Sequence, residues 1–287
     1  SWRQLLAARL RHWFNGNSRT GSKRNIMAHY DLGNAFYQQW LDPSMSYSSA
    51  LYRAEDDGSL LAAQQAKYRR ILDRLQAEPG AHVLEIGCGS GVYTRLLQAA
   101  LKAESWHIND LCSECADNVV ADVFLAGDIE TLPLTASYDL ITSASAFQWL
   151  ADPDALLRKL NACLKENGVL AFNTFDADNL HQIKSLTGAG LHYPTAAYWA
   201  ALLQQNGFEL IRSEAETITL WFDDAREVLA HLKYTGVTAT AQQHWTRARL
   251  HDFAQAYRER YQQNGRLPLS YTPLYFIARK TGGKPTE

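Results

Sequence analysis

Glycines at positions 87, 89 and 91 follow a short apolar run and mark the stretch of the sequence best suited to chemistry. The run 83–86 predicts the end of a buried parallel strand, and residues 92–101 predict a helix directly after the glycines. Glycine lets the backbone turn sharply and approach a ligand closely. The N-terminus of the helix points unpaired N–H groups at that ligand. The stretch therefore predicts a nucleotide site, with a strand–helix turn that binds nothing as the alternative.

Glu85 narrows the choice of nucleotide. Dinucleotide folds space their glycines G-x-G-x-x-G, whereas the order here is E-x-G-x-G-x-G. A carboxylate would repel pyrophosphate but suits a ligand that carries cations and no phosphate. S-adenosylmethionine (SAM) carries an ammonium and a sulfonium. The spacing resembles motif I of the class I SAM-dependent methyltransferases, which implies a Rossmann-like α/β fold with a seven-stranded, mostly parallel sheet.

Two further acids follow predicted strands at separations that fit this fold. Strand 106–110 ends in Asp110, which lies 19 residues past Gly91, where an acid can hold both ribose hydroxyls. Strand 123–128 ends in Asp128, placed to meet the adenine amino group. Asp152 and Pro153 predict the N-cap and first residue of a helix. Four more strands are predicted, over 138–143, 168–175, 208–220 and 271–280.

Composition bounds the class of protein. The chain has 287 residues, 46% of them hydrophobic, and a net charge of −2, which argues against a basic nucleic-acid binder. Its apolar runs are too short to span a membrane and no signal peptide is recognised, so we expect a cytoplasmic protein. The cysteines are not spaced as a disulfide framework. Cys112 and Cys115 form a C-x-x-C pair, which we interpret as two buried thiols at a helix start rather than a metal or redox site.

Residues 1–24 contain six Arg or Lys and no acid, with apolar residues near helical spacing. This pattern predicts a basic amphipathic helix suited to an anionic surface, such as weak contact with a membrane. A helix packed on its own domain fits equally well.

Residues 25–52 hold six aromatic residues and one histidine, a density that suggests an apolar cover over a site. The segment resembles the one that precedes the SAM fold in cyclopropane-fatty-acid and mycolic-acid synthases, and the likeness runs through helix 57–75 into the glycine loop. This resemblance implies that Tyr47 and Ser48 contact SAM. We therefore expect a helical cover over 1–76 and a methyltransferase domain over 77–287.

A second resemblance begins at Gly87. The motifs S-A-S-A-F-Q-W-L-A-D-P (143–153), L-T-G-A-G-L-H-Y-P (186–194), V-L-A-H-L-K-Y-T-G-V-T-A-T (228–240) and P-L-Y-F-I-A-R-K (273–280) are similar to the malonyl-acyl-carrier-protein O-methyltransferases of biotin synthesis. That family opens with a shorter segment, although both families share the Tyr30-Asp31 pair. The chain thus resembles a mosaic, with a cyclopropane-synthase-like cover joined at the glycine loop to a carboxylate-methylating body.

The two resemblances imply different chemistry. Cyclopropane synthases hold a base with a cysteine and a Glu-His pair, and here Ser49 and Gln148-Trp149 stand at those positions. Without a proton acceptor, ring formation is disfavoured. Methylating a carboxylate needs only alignment with the sulfonium methyl and exclusion of water. Packing at a helix start is the other interpretation of Gln148 and Trp149.

The leading hypothesis is a SAM-dependent O-methyltransferase that acts on malonyl-acyl carrier protein. A lipid C-methyltransferase and a SAM-binding protein without turnover are the alternatives. The insertion 223–268, with a helix over 242–262, is a candidate substrate lid, and its Lys233, then Arg258, are candidates for binding the substrate carboxylate. An acidic carrier would meet its arginines (Arg247, Arg249, Arg258, Arg260 and Arg266) or those of the N-terminus. The predicted catalytic set is Tyr30, Gln148, Trp149 and Lys233. The predicted cofactor set is Tyr47, Ser48, Glu85, Gly87, Cys88, Gly89, Gly91, Asp110, Leu111, Asp128, Ile129 and Ser143, with no metal.

Overall fold

The computed structural model describes residues 62, 66, 68–71, 75, 79–188, 190–234 and 246–282, and the side chains of 233 and 234 are not included. Most of the predicted cover therefore lies outside the described residues. So do the basic segment 1–24, Tyr30, Tyr47, Ser48 and Ser49, as well as the side chain of Lys233.

Nine strands and six α-helices follow in the described part of the chain. The strands are β1 His82–Ile86, β2 Ser105–Asp110, β3 Val123–Ala126, β4 Tyr138–Ala144, β5 Leu164–Phe175, β6 Phe208–Ala215, β7 Ile218–Phe222, β8 Leu267–Tyr271 and β9 Pro273–Lys280. The helices are α1 Val92–Ala100, α2 Pro153–Cys163, α3 His181–Thr187, α4 Ala196–Gln205, α5 Ala225–Tyr234 and α6 Arg247–Tyr261.

Seven strands form one sheet in the order β3-β2-β1-β4-β5-β9-β6. The first five are parallel, and β9 runs antiparallel between β5 and β6. The predicted seven-stranded, mostly parallel α/β fold is confirmed. Its central strands are apolar because helices cover both faces, as in doubly wound folds: Val83, Leu84, Leu140 and Ile141 are all buried.

Local capping sets where the helices begin. The Asp152 carboxylate accepts a hydrogen bond from the Ala155 N–H at 3.0 Å, and Pro153 occupies the first turn of α2. This confirms the predicted helix start, since an N-cap acid and an early proline satisfy or remove unpaired N–H groups. Thr246 caps α6 in the same way, and the helix begins at Arg247, five residues after the predicted start at 242.

The predicted strand 208–220 is wrong as a single element. It is two strands, because β6 stays in the main sheet to Ala215 whereas β7 leaves it and pairs with β8. The register with β9 ends at Ala215, opposite Leu274, and one further backbone hydrogen bond joins the Glu216 N–H to the Pro273 carbonyl at 3.4 Å. The predicted strand 271–280 likewise divides at Thr272, into the end of β8 and the whole of β9.

A small second core lies beyond the main sheet. It joins α3, α5, α6, β7 and β8, which we call the platform, around Leu180, Val228, Phe253, Tyr257 and Leu269. The platform leads into β9, whose first residue pairs with Phe175 at the carboxyl end of β5. The described parts of the predicted insertion 223–268 thus form α5, α6 and the start of β8, at the carboxyl edge of the sheet.

The described residues of the predicted cover pack against this body. The ring of Tyr68 lies 5.5 Å from that of Tyr93 on α1. The guanidinium of Arg70 pairs with Glu214 at 3.1 Å, pairs also with Glu216, and lies 4.8 Å from the ring centroid of Tyr275. A guanidinium that combines ion pairs with an aromatic face is a strong local anchor. Arg70 thus fastens the cover to β6 and β9.

Candidate active site

The strand order predicts a ligand crevice at the carboxyl ends of β1 and β4. From β1 the chain moves to β2 and β3 on one side, and then to β4 and β5 on the other. Open α/β sheets bind ligands where the order reverses in this way. The glycine loop follows β1, Asp110 ends β2 and Ser143 lies near the end of β4. The fold therefore brings together the predicted cofactor residues of the described chain.

The three glycines are required by the backbone of the loop. Gly87, Gly89 and Gly91 have φ of 77°, 51° and 71°, in the left-handed region that other residues rarely adopt. A Cβ on Gly87 would lie 2.7 Å from that of Ala146, and one on Gly91 would lie 2.5 Å from the carbonyl oxygen of Asn118. The loop is therefore held closely between β4 and the turn after β2.

Asp110 fastens the loop from the end of β2. Its Oδ2 accepts the Gly89 N–H at 2.8 Å, and its Oδ1 accepts the Cys112 N–H at 3.0 Å. Only 6% of Asp110 is exposed. Burial raises the pKa of Asp110 above its usual range, and the two N–H groups oppose that rise. The Cys115 thiol and the Leu111 N–H also donate hydrogen bonds to this carboxylate, and both lower its pKa.

Glu85 is the most unusual group at the crevice. It is fully buried, and neither of its carboxylate oxygens has a hydrogen-bond partner among the described residues. Burial raises the pKa of Glu85 to about 8; the nearby Thr94 hydroxyl lowers it and the charge of Asp110 raises it further. Buried polar groups are normally satisfied. A cationic ligand bound beside the glycine loop would favour the ionised form of this carboxyl group.

The end of β3 differs slightly from the prediction. β3 stops at Ala126, because Gly127 turns the chain with φ 126°, so Asp128 belongs to the following turn. Its Oδ1 accepts the Glu130 N–H at 3.0 Å. Ile129 beside it is buried, and Leu111 after β2 is half-buried. Both acids predicted to follow strands thus lie at the same edge of the sheet.

The residues after β4 serve the fold as well as the crevice. Ser143 is fully buried and its hydroxyl donates to the Ile86 carbonyl at 2.9 Å, which joins β4 to β1. Phe147 stacks on Phe172 at 4.1 Å in the main core. Gln148 Nε2 donates to the Ser145 carbonyl at 2.6 Å, whereas its Oε1 is buried without a partner among the described residues. Trp149 is half-buried.

Sequence reasoning missed Ser145 and Asn173. Ser145 has φ 61°, and its N–H donates to the Asn173 side chain at 2.9 Å. Asn173 is fully buried on β5. Neither residue belongs to a motif that indicates a site. The sequence shows an asparagine within an apolar strand, but it does not show that Asn173 hydrogen-bonds to Ser145. A polar residue inside a predicted buried strand was the one available signal.

The candidate substrate cations lie on the platform. Arg258 is exposed on α6, and the backbone of Lys233 is in α5. Arg266 is engaged with the fold, because it pairs with Asp223 at 3.2 Å and donates to the Trp221 carbonyl. The helix that carries Arg258, α6, packs against α3, α5 and β8.

The cysteine pair packs beneath the glycine loop. Cys115 is buried against Cys88 and Ile108, and Cys112 is half-buried. The helix that begins here is a short 3-10 helix, Ser113–Asn118, rather than an α-helix. Burial and the Glu114 carboxylate raise the pKa of Cys112 to about 12, which keeps its thiol protonated. Within the described ranges, no group of three or more potential ligands could hold a metal ion.

Comparison with known proteins agrees with this geometry. Residues 17–114 match the family described as mycolic acid cyclopropane synthetase, and residues 84–172 match a methyltransferase domain. A malonyl-acyl-carrier-protein O-methyltransferase of Porphyromonas gingivalis is 49% identical over 205 residues, which is 69% of this chain and 79% of that protein. One of Haemophilus influenzae is 44% identical over 202 residues, covering 69% and 77%.

Among solved structures, a mycolic acid cyclopropane synthase in complex with SAH and CTAB superimposes with a TM-score of 0.60 at 19% identity. The match covers 90% of this chain and 98% of that one. This likeness shows a shared fold. By the identity and coverage of its sequence relatives, the chain belongs to the malonyl-acyl-carrier-protein O-methyltransferase family, built on the class I SAM-dependent methyltransferase fold.

Proposed function

We propose that the chain transfers the methyl group of SAM to the free carboxylate of a malonyl group carried by an acyl carrier protein. The observation that carries this proposal is the 49% identity to a relative of that name over 205 residues. The relatives of this name make the carrier-bound malonyl group the substrate best supported for this chain.

The crevice fits SAM on physical grounds. Glu85 would offset the positive charges of the cofactor, and the Asp110 carboxylate at the end of β2 would accept ribose hydroxyls. Asp128 and Ile129 would hold the adenine ring from the turn after β3. Tyr47 and Ser48 would close the site from the cover. When bound, SAM supplies an activated methyl group on a sulfonium.

The reaction asks little acid–base work of the protein. A carboxylic acid with an ordinary pKa near ~4 is already ionised at neutral pH and is itself the nucleophile. The protein's part is to align that carboxylate with the methyl carbon and to exclude water, which is catalysis by proximity. Gln148 and Trp149, on the 3-10 turn after β4, are proposed to line the acceptor side, with Tyr30 from the cover.

A lipid C-methyltransferase is the second candidate, favoured by the match of residues 17–114 to the cyclopropane synthetase family. Members of that family share residues that hold a base. At those positions this chain has Ser49 and Gln148-Trp149 instead. A SAM-binding protein without turnover is the third. The intact acids at 85, 110 and 128 speak against it.

The finer features are part of the same proposal. We place the boundary between cover and body at residues 76 and 77. Residues 1–24 are proposed to make weak contact with an anionic membrane surface, and nucleic acid is not a proposed partner. None of the helices in the described ranges is long and apolar enough to cross a membrane. Four free cysteines and a carrier-bound substrate favour the reducing cytoplasm.

One assay separates the candidates. The purified chain is incubated with methyl-labelled SAM and either malonyl-acyl carrier protein or phospholipid vesicles. Label in the carrier fraction that mild base releases as methanol, as expected for a methyl ester, supports the proposal. Label in the lipid alone would refute it in favour of the second candidate, and label in neither would favour the third.

A further inference from the structure

Ser145, the first residue after β4, is held in an uncommon conformation by a single side chain. Its φ of 61° is left-handed, which non-glycine residues seldom adopt. Its N–H donates to Asn173 Oδ1 at 2.9 Å, and Asn173 Nδ2 donates to its Oγ at 3.2 Å. Asn173 is fully buried on β5 and pairs in register with Ala144. One amide therefore fixes both the backbone and the hydroxyl of Ser145.

These contacts decide where the hydroxyl hydrogen can go. A backbone N–H can only donate, so the Asn173 atom that faces it must be the oxygen, and the atom facing Ser145 Oγ must be the amide nitrogen. A hydroxyl has one hydrogen and two lone pairs. Because Asn173 occupies a lone pair, the hydrogen stays available as a donor. Within the described residues, Ser145 Oγ is recorded with no acceptor for that hydrogen.

This donor lies where cofactor and substrate must meet. Ser145 follows β4 at the reversal of strand order, and the next residue, Ala146, is packed against Gly87 of the loop. The Ser145 carbonyl accepts a hydrogen bond from the Gln148 side chain at 2.6 Å, which links Ser145 to a residue proposed to line the acceptor side. Ser145 itself is half-buried, so it keeps some exposure at this edge.

We propose that the Ser145 hydroxyl donates a hydrogen bond to the substrate carboxylate, at the oxygen that does not attack, and that Asn173 is a positioning residue that directs it. This inference rests on the proposed function. The other carboxylate oxygen forms the new O–C bond while the C–S bond of the sulfonium breaks and its electron pair remains on sulfur. No proton moves, so a neutral donor that orients the carboxylate without protonating it suits the reaction.

Three variants test the assignment, with kcat/KM for malonyl-acyl carrier protein and calorimetric SAM affinity as the measurements. Ser145→Ala removes the donor. Asn173→Asp keeps an acceptor for the Ser145 N–H but offers a second acceptor that captures the hydroxyl hydrogen. Each single change should lower kcat/KM by about 10- to 100-fold, the worth of a hydrogen bond to a charged group. SAM affinity should stay within about twofold of wild type.

The double variant separates positioning from folding. If Asn173 acts through the hydroxyl, Asn173→Asp should cost little more once Ser145→Ala has removed it. Thr174→Val is the matched control, because Thr174 is the next residue on β5, fully buried, with a hydroxyl that has no partner among the described residues. It should leave kcat/KM unchanged.

Three outcomes would overturn the assignment: wild-type kcat/KM in Ser145→Ala, equal penalties for Asn173→Asp with and without the hydroxyl, or a loss in Thr174→Val as large as in Asn173→Asp. Ser145→Gly, which adopts the left-handed conformation freely, replaces Ser145→Ala if the latter fails to fold. Wild-type chain that transfers no methyl to malonyl-acyl carrier protein would instead refute the proposed function, so that measurement comes first.

Discussion

The buried carboxylate of Glu85 should make the stability of the chain fall as pH rises. The pKa of Glu85 is about 8 in the folded chain, against an ordinary value of 4.5. Between these values the folded state holds a proton that the unfolded state has lost. The free energy of unfolding therefore decreases with pH across this window, and the contribution is fully present only below it. Glu85→Gln, which cannot ionise, should remove this slope.

The size of the effect follows from the same window. A carboxyl group that is protonated only in the folded state contributes a slope of about 1.4 kcal/mol per pH unit. From about pH 5.5 to about pH 7.5 the wild type should thus lose roughly 2–3 kcal/mol relative to Glu85→Gln. Water that enters beside the ionised carboxylate would reduce the loss, so this value is a ceiling.

Urea unfolding at the two pH values, followed by circular dichroism, measures the slope directly. Glu209→Gln is the control, since Glu209 is exposed on β6 and the same substitution there should change nothing. SAM should favour the ionised form, so calorimetry in buffers of different ionisation heat should detect release of up to about one proton per site. If wild type and Glu85→Gln keep the same pH slope, the carboxylate does not hold the proton and the reasoning is refuted.

Three other results are expected. Asp110→Asn, which replaces one charged acceptor with a donor, should weaken SAM binding by at least about tenfold in calorimetry. Asp122→Asn is the control, because the Asp122 carboxylate accepts the Trp106 N–H at the other end of β2, and this change should leave SAM affinity unchanged. If both variants lose SAM affinity equally, Asp110 does not bind SAM. Charge reversal at Arg247 and Arg258, both exposed on α6, should raise KM for malonyl-acyl carrier protein in low salt but not for a small malonyl thioester. Equal effects on both substrates would mean that these arginines act elsewhere. Ser49→Cys alone should yield no cyclopropane lipids by mass spectrometry, and their detection would contradict carboxylate chemistry.

The cofactor side of the site was predictable because its signals are local. Each signal lies within one strand and the turn that follows it. Glu85 and the glycines belong to β1 and its turn, and Asp110 ends β2. Glycines that need a positive φ are visible in the sequence, and the structure gives all three one. The cap at Asp152 was predictable in the same way.

The acceptor side was not predictable because its contacts join distant strands. Ser145 adopts a left-handed conformation in which its N–H donates to the side chain of Asn173, 28 residues later. Nothing within either segment encodes that pairing. The prediction of a single strand over 208–220 was wrong for a related reason. Residues on both sides of Ala215 have strand character, and only the pairing with β9 shows where β6 ends. Tertiary partners, not local propensity, decided both outcomes.

The placement of β9 has a consequence for how this chain reaches its fold. β9 follows every other described strand in sequence, yet it lies between β5 and β6. Until residues 273–280 are available, β5 and β6 cannot share a sheet, and both present unpaired edges that invite association with other chains. The platform is complete in sequence before β9, so its small core can form first and carry β9 into place. Loss of this last strand would remove the middle of one half of the sheet rather than trim its rim, so we expect the half beyond β4 to assemble late and in a single cooperative step.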